Sequence, residues 1–193
     1  MRMRLSQLRS LLREELSLWD VADHFRGRDL RLTLTGENHL VGDWIAPENM
    51  HGEPTVKGDK PEGLWYACGV EWIDYLQTDG PGWEHGARTL ISLDLDLPKM
   101  AALSTDDDIE QFTQRYGTTD WSGKKGAWFI DWPEVSKNFG GIEICPFPFV
   151  LSRDPRYRWL YSWSIASGCV WDPAVVRDHD IVAWWHGDTW KVR

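Results

Sequence analysis

Long apolar runs, paired cysteine spacings and an excess of positive charge are all missing from this chain, and each absence removes a class of protein. The opening "MRMRLSQLRSLLREEL" is charged and carries no continuous apolar stretch. It reads as neither a signal peptide nor a membrane span, so the expectation is a cytoplasmic protein with no membrane partner. Cysteine is scarce: Cys68, Cys145 and Cys169, with no C-x-x-C pair. That disfavours a disulfide framework and a zinc knuckle, and the expectation is three buried thiols. The formal charge of −9 argues against non-specific nucleic-acid binding, which is driven by counterion release from Lys and Arg. No phosphate loop, G-x-G-x-x-G, H-E-x-x-H or G-x-S-x-G occurs. Repeats of solenoid period are also missing.

What the chain does have is tryptophan, 14 residues of it in 193. Each indole brings a large apolar area and one N–H that needs an acceptor. The densest cluster, "GLWYACGVEWIDYL" at 63–76, implies either a packed interior or the wall of a ligand site.

The hydrophobic pattern predicts short elements. Leu8, Leu11, Leu12, Leu16 and Trp19 recur at helical spacing over 7–22, with Ser6 as the cap. "RDLRLTLTGEN" alternates, with Leu30, Leu32 and Leu34 on one face and Arg31 and Thr33 on the other. Residues 36–63 are punctuated by Gly and Pro and read as loop. "LWYACG" suits a strand and "VEWIDYL" a short helix. "TLISLDLDL" is the clearest strand, and "STDDDIEQFTQRYG" the clearest helix after the first, capped at Ser104 or Thr105 with Ile109, Phe112 and Tyr116 as its apolar stripe. "DWPEVSKNF" reads as a helix capped by Asp131, "GGIEICPFPF" as a short strand, "RWLYSWSIASGCVW" as strand-like and "DIVAWWHGDTWKV" as a hairpin. The sum is α+β: residues 1–27 as an N-terminal helix and connector, and 28–193 as one domain.

Candidates for chemistry are single residues. In "GGIEICPF", Ile142 and Ile144 should face the core and leave Glu143 on the polar face of its strand. Arg31 sits similarly on the first strand, and His39 follows in "TGENHL". Asp94 and Asp96 share a strand face, but two carboxylates supply too few oxygens for calcium or magnesium, so no metal is expected there. "SRDPRYRWLYSW" interleaves arginines with aromatic rings, the elements of a single-strand nucleic-acid surface, and serves equally as a turn into a Trp-lined strand. "ASGCVW" sets Ala166, Ser167 and Gly168 among bulky neighbours, which permits either close backbone packing or room for a ligand.

The order "DLRLTL", "KPEGLWYACGVEWIDYL", "RTLISLDLDLPKMAALST", "DDIEQFTQRYG", "IDWPEVSKNFGGIEICPF" and "YSWSIASGCVW" resembles the layout of small bacterial and phage ADP-ribosyltransferase-like proteins, over about residues 28–175. The resemblance implies two small, mainly antiparallel sheets around a cleft with short helices, and NAD as the substrate cleaved there. It places Arg31, or His39, on the strand that grips NAD. Trp65 and Tyr66 fall on the segment that holds the nicotinamide ribose, and Glu143 becomes the catalytic carboxylate. Where the arginine-type branch carries S-T-S this chain reads "WYACG", and where that branch carries E-x-E it reads "GIE". The ADP-ribose acceptor, protein or nucleic acid, stays open. Two other readings compete: a non-catalytic, Trp-rich interaction protein such as a phage or mobile-element accessory factor, and a carbohydrate-binding module with several exposed indoles on one flat surface.

Overall fold

Alternating side chains build most of the strands, and one short connection decides how those strands are arranged. The computed structural model describes residues 16–36, 60–78, 86–118 and 129–193. The architecture is α+β. Helix α1 (Leu18–Phe25) leads to β1 (Arg31–Thr35), β2 (Leu64–Cys68), α2 (Glu71–Thr78), β3 (Thr89–Leu95) and β4 (Met100–Leu103). Then come α3 (Asp106–Tyr116), the two-residue strands β5 (Gly117–Thr118) and β6 (Phe129–Ile130), α4 (Trp132–Ser136), β7 (Gly141–Ile144), β8 (Ser167–Val170), β9 (Val176–His186) and β10 (Thr189–Val192).

The strands do not divide into two small sheets. Eight of them form one sheet in the order β10-β9-β3-β1-β2-β8-β7-β4, and only β5 and β6 stand apart. Every pairing in the large sheet is antiparallel except β4 with β7. Strands β3 and β4 are third and eighth in that order, yet only a 3₁₀ turn, Leu97–Lys99, connects them. In a flat sheet they would lie about 24 Å apart, whereas the five residue steps from Leu95 to Met100 reach at most about 18 Å. The sheet therefore curls. Leu93 and Leu95 of β3 meet Met100 of β4 in one cluster with Leu64, Tyr66 and Val170, on the inside of the curl.

Helices cover the outside. Helix α1 packs Leu18, Val21 and Phe25 with Ile73 of α2 over Leu32, Leu90 and Ala183. Its N-cap is Ser17, in a capping box with Asp20; the predicted cap Ser6 and the helical stretch before residue 16 lie outside the described residues. Leu16 also bridges to Trp190, which ties the α1 end of the chain to β10. On the other half, α3, α4 and the 3₁₀ segment Pro155–Ser162 bury an aromatic core against Ile142 and Ile144. Trp132, Trp159, Trp163 and Trp171 are all fully buried there. Trp159 donates its N–H to Thr113 Oγ1 at 3.0 Å and Trp171 to the Phe139 carbonyl at 2.8 Å. "RWLYSWSIASGCVW" is thus not one strand: Arg158–Ser162 belong to the 3₁₀ segment, and only Ser167–Val170 is strand.

Helix α3 follows its pattern closely. Thr105 caps it, its hydroxyl accepting from Asp108 N–H while the Asp108 carboxylate accepts from Thr105 N–H, and Ile109, Phe112 and Tyr116 are buried. Losing such a cap costs about 1 kcal/mol. Thr105→Ala should therefore lower the melting temperature by roughly 2–4 °C in a chain of this size, read by circular dichroism at 222 nm.

Candidate functional site

Strand register places three of the sequence-derived residues in contact. Tyr66 on β2 is opposite Gly168 on β8, and Gly168 is in turn opposite Glu143 on β7. The three form one row on the inside of the curl. Gly168 has no side chain, so the Tyr66 ring lies across β8 and its O–H donates to Glu143 Oε2 at 2.9 Å. A Cβ at 168 would run into the Tyr66 Cζ and Oη and stand 2.7 Å from the Ile142 carbonyl oxygen. The space that "ASGCVW" leaves is filled by a ring from the neighbouring strand.

Arg31 completes the cluster from β1. Its Nε and Nη2 donate to the two oxygens of Glu143, both at 2.9 Å, and its Nη1 to Asp29 at 2.7 Å. This is the fork-to-fork geometry that makes guanidinium–carboxylate pairs strong. The Glu143 hydrogen bonds hold Arg31 above the usual guanidinium range, outweighing partial burial. Burial, followed by the charge of Glu143, pushes the Tyr66 phenol well above its usual value.

Glu143 differs from its expected setting. It does face away from Ile142 and Ile144, but that side is not solvent: the residue is only 5% exposed, because the curl turns the second face of β7 into an interior. Ala102, its partner on edge strand β4, is exposed, so the carboxylate lies one short side chain from water. Arg31 also lines a hollow of about 320 Å³ with Leu93, Asp94, Asp178 and His179.

Trp65 does not join the cluster. Strand alternation sends it to the opposite face from Tyr66, edge-on to Trp163 at 5.0 Å between ring centroids and under Lys60 at 4.8 Å. His39 lies outside the described residues. The carboxylate of Asp96 is held by Lys99 and Arg177, and Asp94 lies across a register shift, opposite Asp178. In the "SRDPRYRWLYSW" run, Arg156 is spent on Asp154 and on the face of Tyr157, while Tyr157 and Trp159 are buried. Trp184 is the one exposed indole among the described residues, so no flat surface of indoles is present there.

The thiol expectation needs correcting. Cys68 and Cys145 form a disulfide, with Cα atoms 6.5 Å apart, and only Cys169 is free and buried. Each of the pair stands two residues after a cluster member, Tyr66 or Glu143, and so on the same face. Their sulfurs and a Glu143 oxygen lie within 4.8 Å of one another, the one group among the described residues spaced to hold a metal ion. Bonded to each other, the sulfurs offer no thiolate to a metal, and Glu143 is committed to Arg31. A sequence separation of 77 hides this pair from any reading of local spacing. An open groove of about 900 Å³, lined by residues including Tyr75, Phe149, Arg153 and Tyr161, does not include Glu143, Arg31 or Tyr66.

The phenol makes a pH prediction. A proton held more tightly in the folded state stabilises the fold fully below the unfolded pKa of about 10, and that stability is lost as pH rises towards the folded value. The melting temperature should fall above pH 10, and Tyr66→Phe should flatten part of that fall; thermal melts between pH 8 and 11.5 compare the two proteins.

No helix among the described residues is long and apolar enough to cross a membrane. No family model, curated protein or solved structure matches the chain.

Proposed function

We propose that the chain is an ADP-ribosyltransferase-like enzyme that cleaves the nicotinamide–ribose bond of NAD. The observation that carries this reading is the meeting of Arg31, Tyr66 and Glu143 in one hydrogen-bonded cluster, from strands far apart in sequence. Their chemistry fits the substrate. Breaking the bond builds oxocarbenium character on the ribose, as glycoside cleavage does, and a fixed carboxylate opposes that charge. Tyr66 orients the carboxylate through Oε2, donating its O–H at 2.9 Å.

Arg31 has two suitors in this scheme. Without substrate its fork holds Glu143. The pyrophosphate of NAD presents a guanidinium with the same bidentate geometry as a carboxylate and competes for it. Binding therefore draws Arg31 away and leaves Glu143 negative where the ribose becomes positive. Trp65, on the other face, has no part in it. The test is nicotinamide release from NAD by the purified protein, alone and with protein or single-stranded nucleic-acid acceptors. Release supports the reading, and its absence with every acceptor removes it.

The burial of Glu143 favours a second reading, a non-catalytic interaction protein. A carboxylate 5% exposed with both oxygens bonded is also what a purely structural ion pair looks like. In that case NAD leaves the Arg31–Glu143 pair undisturbed, and the protein neither binds nor turns over the dinucleotide.

A further inference from the structure

The Cys68–Cys145 bond joins two strands that are not neighbours. Strand β8 separates β2 from β7 along its whole length, but it begins only at Ser167, opposite Ala67 and Ile144. Strands two places apart normally stand about 9.6 Å from each other. One residue past the start of β8, where the Ala166 carbonyl still accepts from Cys68 N–H at 3.1 Å, the Cα atoms of Cys68 and Cys145 close to 6.5 Å. The bond is a clasp at that end of the sheet. Cys68 is also the register partner of Arg31 on β1, so the clasp touches the strands of all three cluster residues. Both cysteines are half-buried, while Cys169 is fully buried.

We propose that Cys68–Cys145 is a redox-active disulfide, a site of exchange with small dithiols, whose state is coupled to the Glu143–Arg31 pair. The incoming thiolate attacks one sulfur, forms a mixed disulfide and expels the other as a thiolate. The second thiol of the reagent then displaces the first sulfur, leaving an oxidised cyclic reagent and two protein thiols. Two electrons and two protons pass to the protein, and no other reactant is needed. The expelled thiolate forms beside Arg31, which attracts it, and within 4.8 Å of Glu143, which repels it. When a reduced sulfur is ionised, it weakens the Arg31–Glu143 bond by offering the guanidinium an anion besides Glu143 and Asp29. By linkage, the factor by which the ionised reduced pair weakens that bond is the factor by which breaking the bond eases reduction. The proposal rests on geometry alone and holds whether or not NAD is the substrate.

The opposed roles of the two charges give variants with opposite signs. The full-length protein is equilibrated with defined ratios of reduced and oxidised dithiothreitol at pH 8, trapped with an alkylating reagent and read by mass spectrometry. Circular dichroism follows the fold. Cys68 and Cys145 should titrate together as a two-electron pair in folded protein, with Cys169 unmodified. Glu143→Gln should move the exchange constant about tenfold towards the dithiol, and Arg31→Gln several-fold towards the disulfide. Tyr66→Phe, which keeps both charges, should stay within about threefold of the wild type. If one charge variant does not fold, the sign of the other decides. Cysteines that react only when the protein unfolds, a pair that stays reduced under oxidised dithiothreitol, or equal constants in wild type and the charge variants would each overturn the proposal.

Discussion

Glu143→Gln should cut nicotinamide release from NAD by about 100- to 1000-fold, the usual effect of removing one preorganised electrostatic group from an active site. The amide keeps the size of the side chain and an oxygen to accept from Tyr66 and Arg31, so what is lost is the negative charge. The fold should also register the change. Glu143 is buried and paired, and removing one partner of a buried pair leaves the other poorly compensated. Asp29 still faces Arg31, but from an exposed position. Because the amide still accepts from Arg31, the cost should lie at the low end, about 3 kcal/mol, a fall in melting temperature of roughly 6–12 °C. Release must therefore be compared at a temperature where both proteins are fully folded. Equal release by the two would take Glu143 out of the mechanism. A stability loss with no wild-type release at all is the signature of the structural ion pair.

Gly168→Ala should be the most damaging single-methyl change among these residues. Its Cβ meets the Tyr66 ring on one side and stands 2.7 Å from a backbone oxygen of Ile142 on the other. The ring can yield; the backbone of a central strand cannot. Overpacking costs about 1–3 kcal/mol, and losing the charged hydrogen bond from Tyr66 to Glu143 adds about 1.5–3 kcal/mol. A fall of roughly 10 °C or more in melting temperature follows, together with a loss of NAD turnover as the carboxylate loses its orienting donor. The mechanism is checked by a double-mutant cycle: in a Tyr66→Ala background there is no ring to displace, so Gly168→Ala should cost much less there. Additive effects would mean that the clash with Ile142 alone sets the cost.

Local pattern made part of this architecture legible. The alternation of Ile91, Leu93 and Leu95 located β3, and the cap at Thr105 with the stripe Ile109, Phe112 and Tyr116 located α3, because both signals lie within a dozen residues. Sheet order was not legible, because β2 at 64–68 takes as its partner β8 at 167–170, a choice set by packing and not by neighbouring residues. The same remoteness hid the Cys68–Cys145 bond. Glu143 shows where the alternation rule fails: it identifies two faces of a strand but assumes that the polar one is wet. On β7 both faces are buried, one under helices and one inside the curl. Trp65 and Tyr66, adjacent in sequence, were both candidates for the cofactor segment, and the strand period of two allows only one of them on the cluster's face. Gly168 carried the one local hint, a residue without a side chain among bulky neighbours.

The position of β8 has a consequence for how the protein acquires its shape. This strand, late in the chain, is the filling between β2, which is made much earlier, and β7, which is made shortly before it. As the polypeptide leaves the ribosome, Tyr66 is present well before the segment that sets its spacing from Glu143. Until it arrives, β2 and β7 expose unpaired edges, which are templates for mispairing and aggregation. So many distant pairings give a high contact order, and refolding from denaturant should be slow, on the scale of milliseconds to seconds. A chain cut before Ser167 would keep all three polar residues of the cluster and have no strand to bring them together.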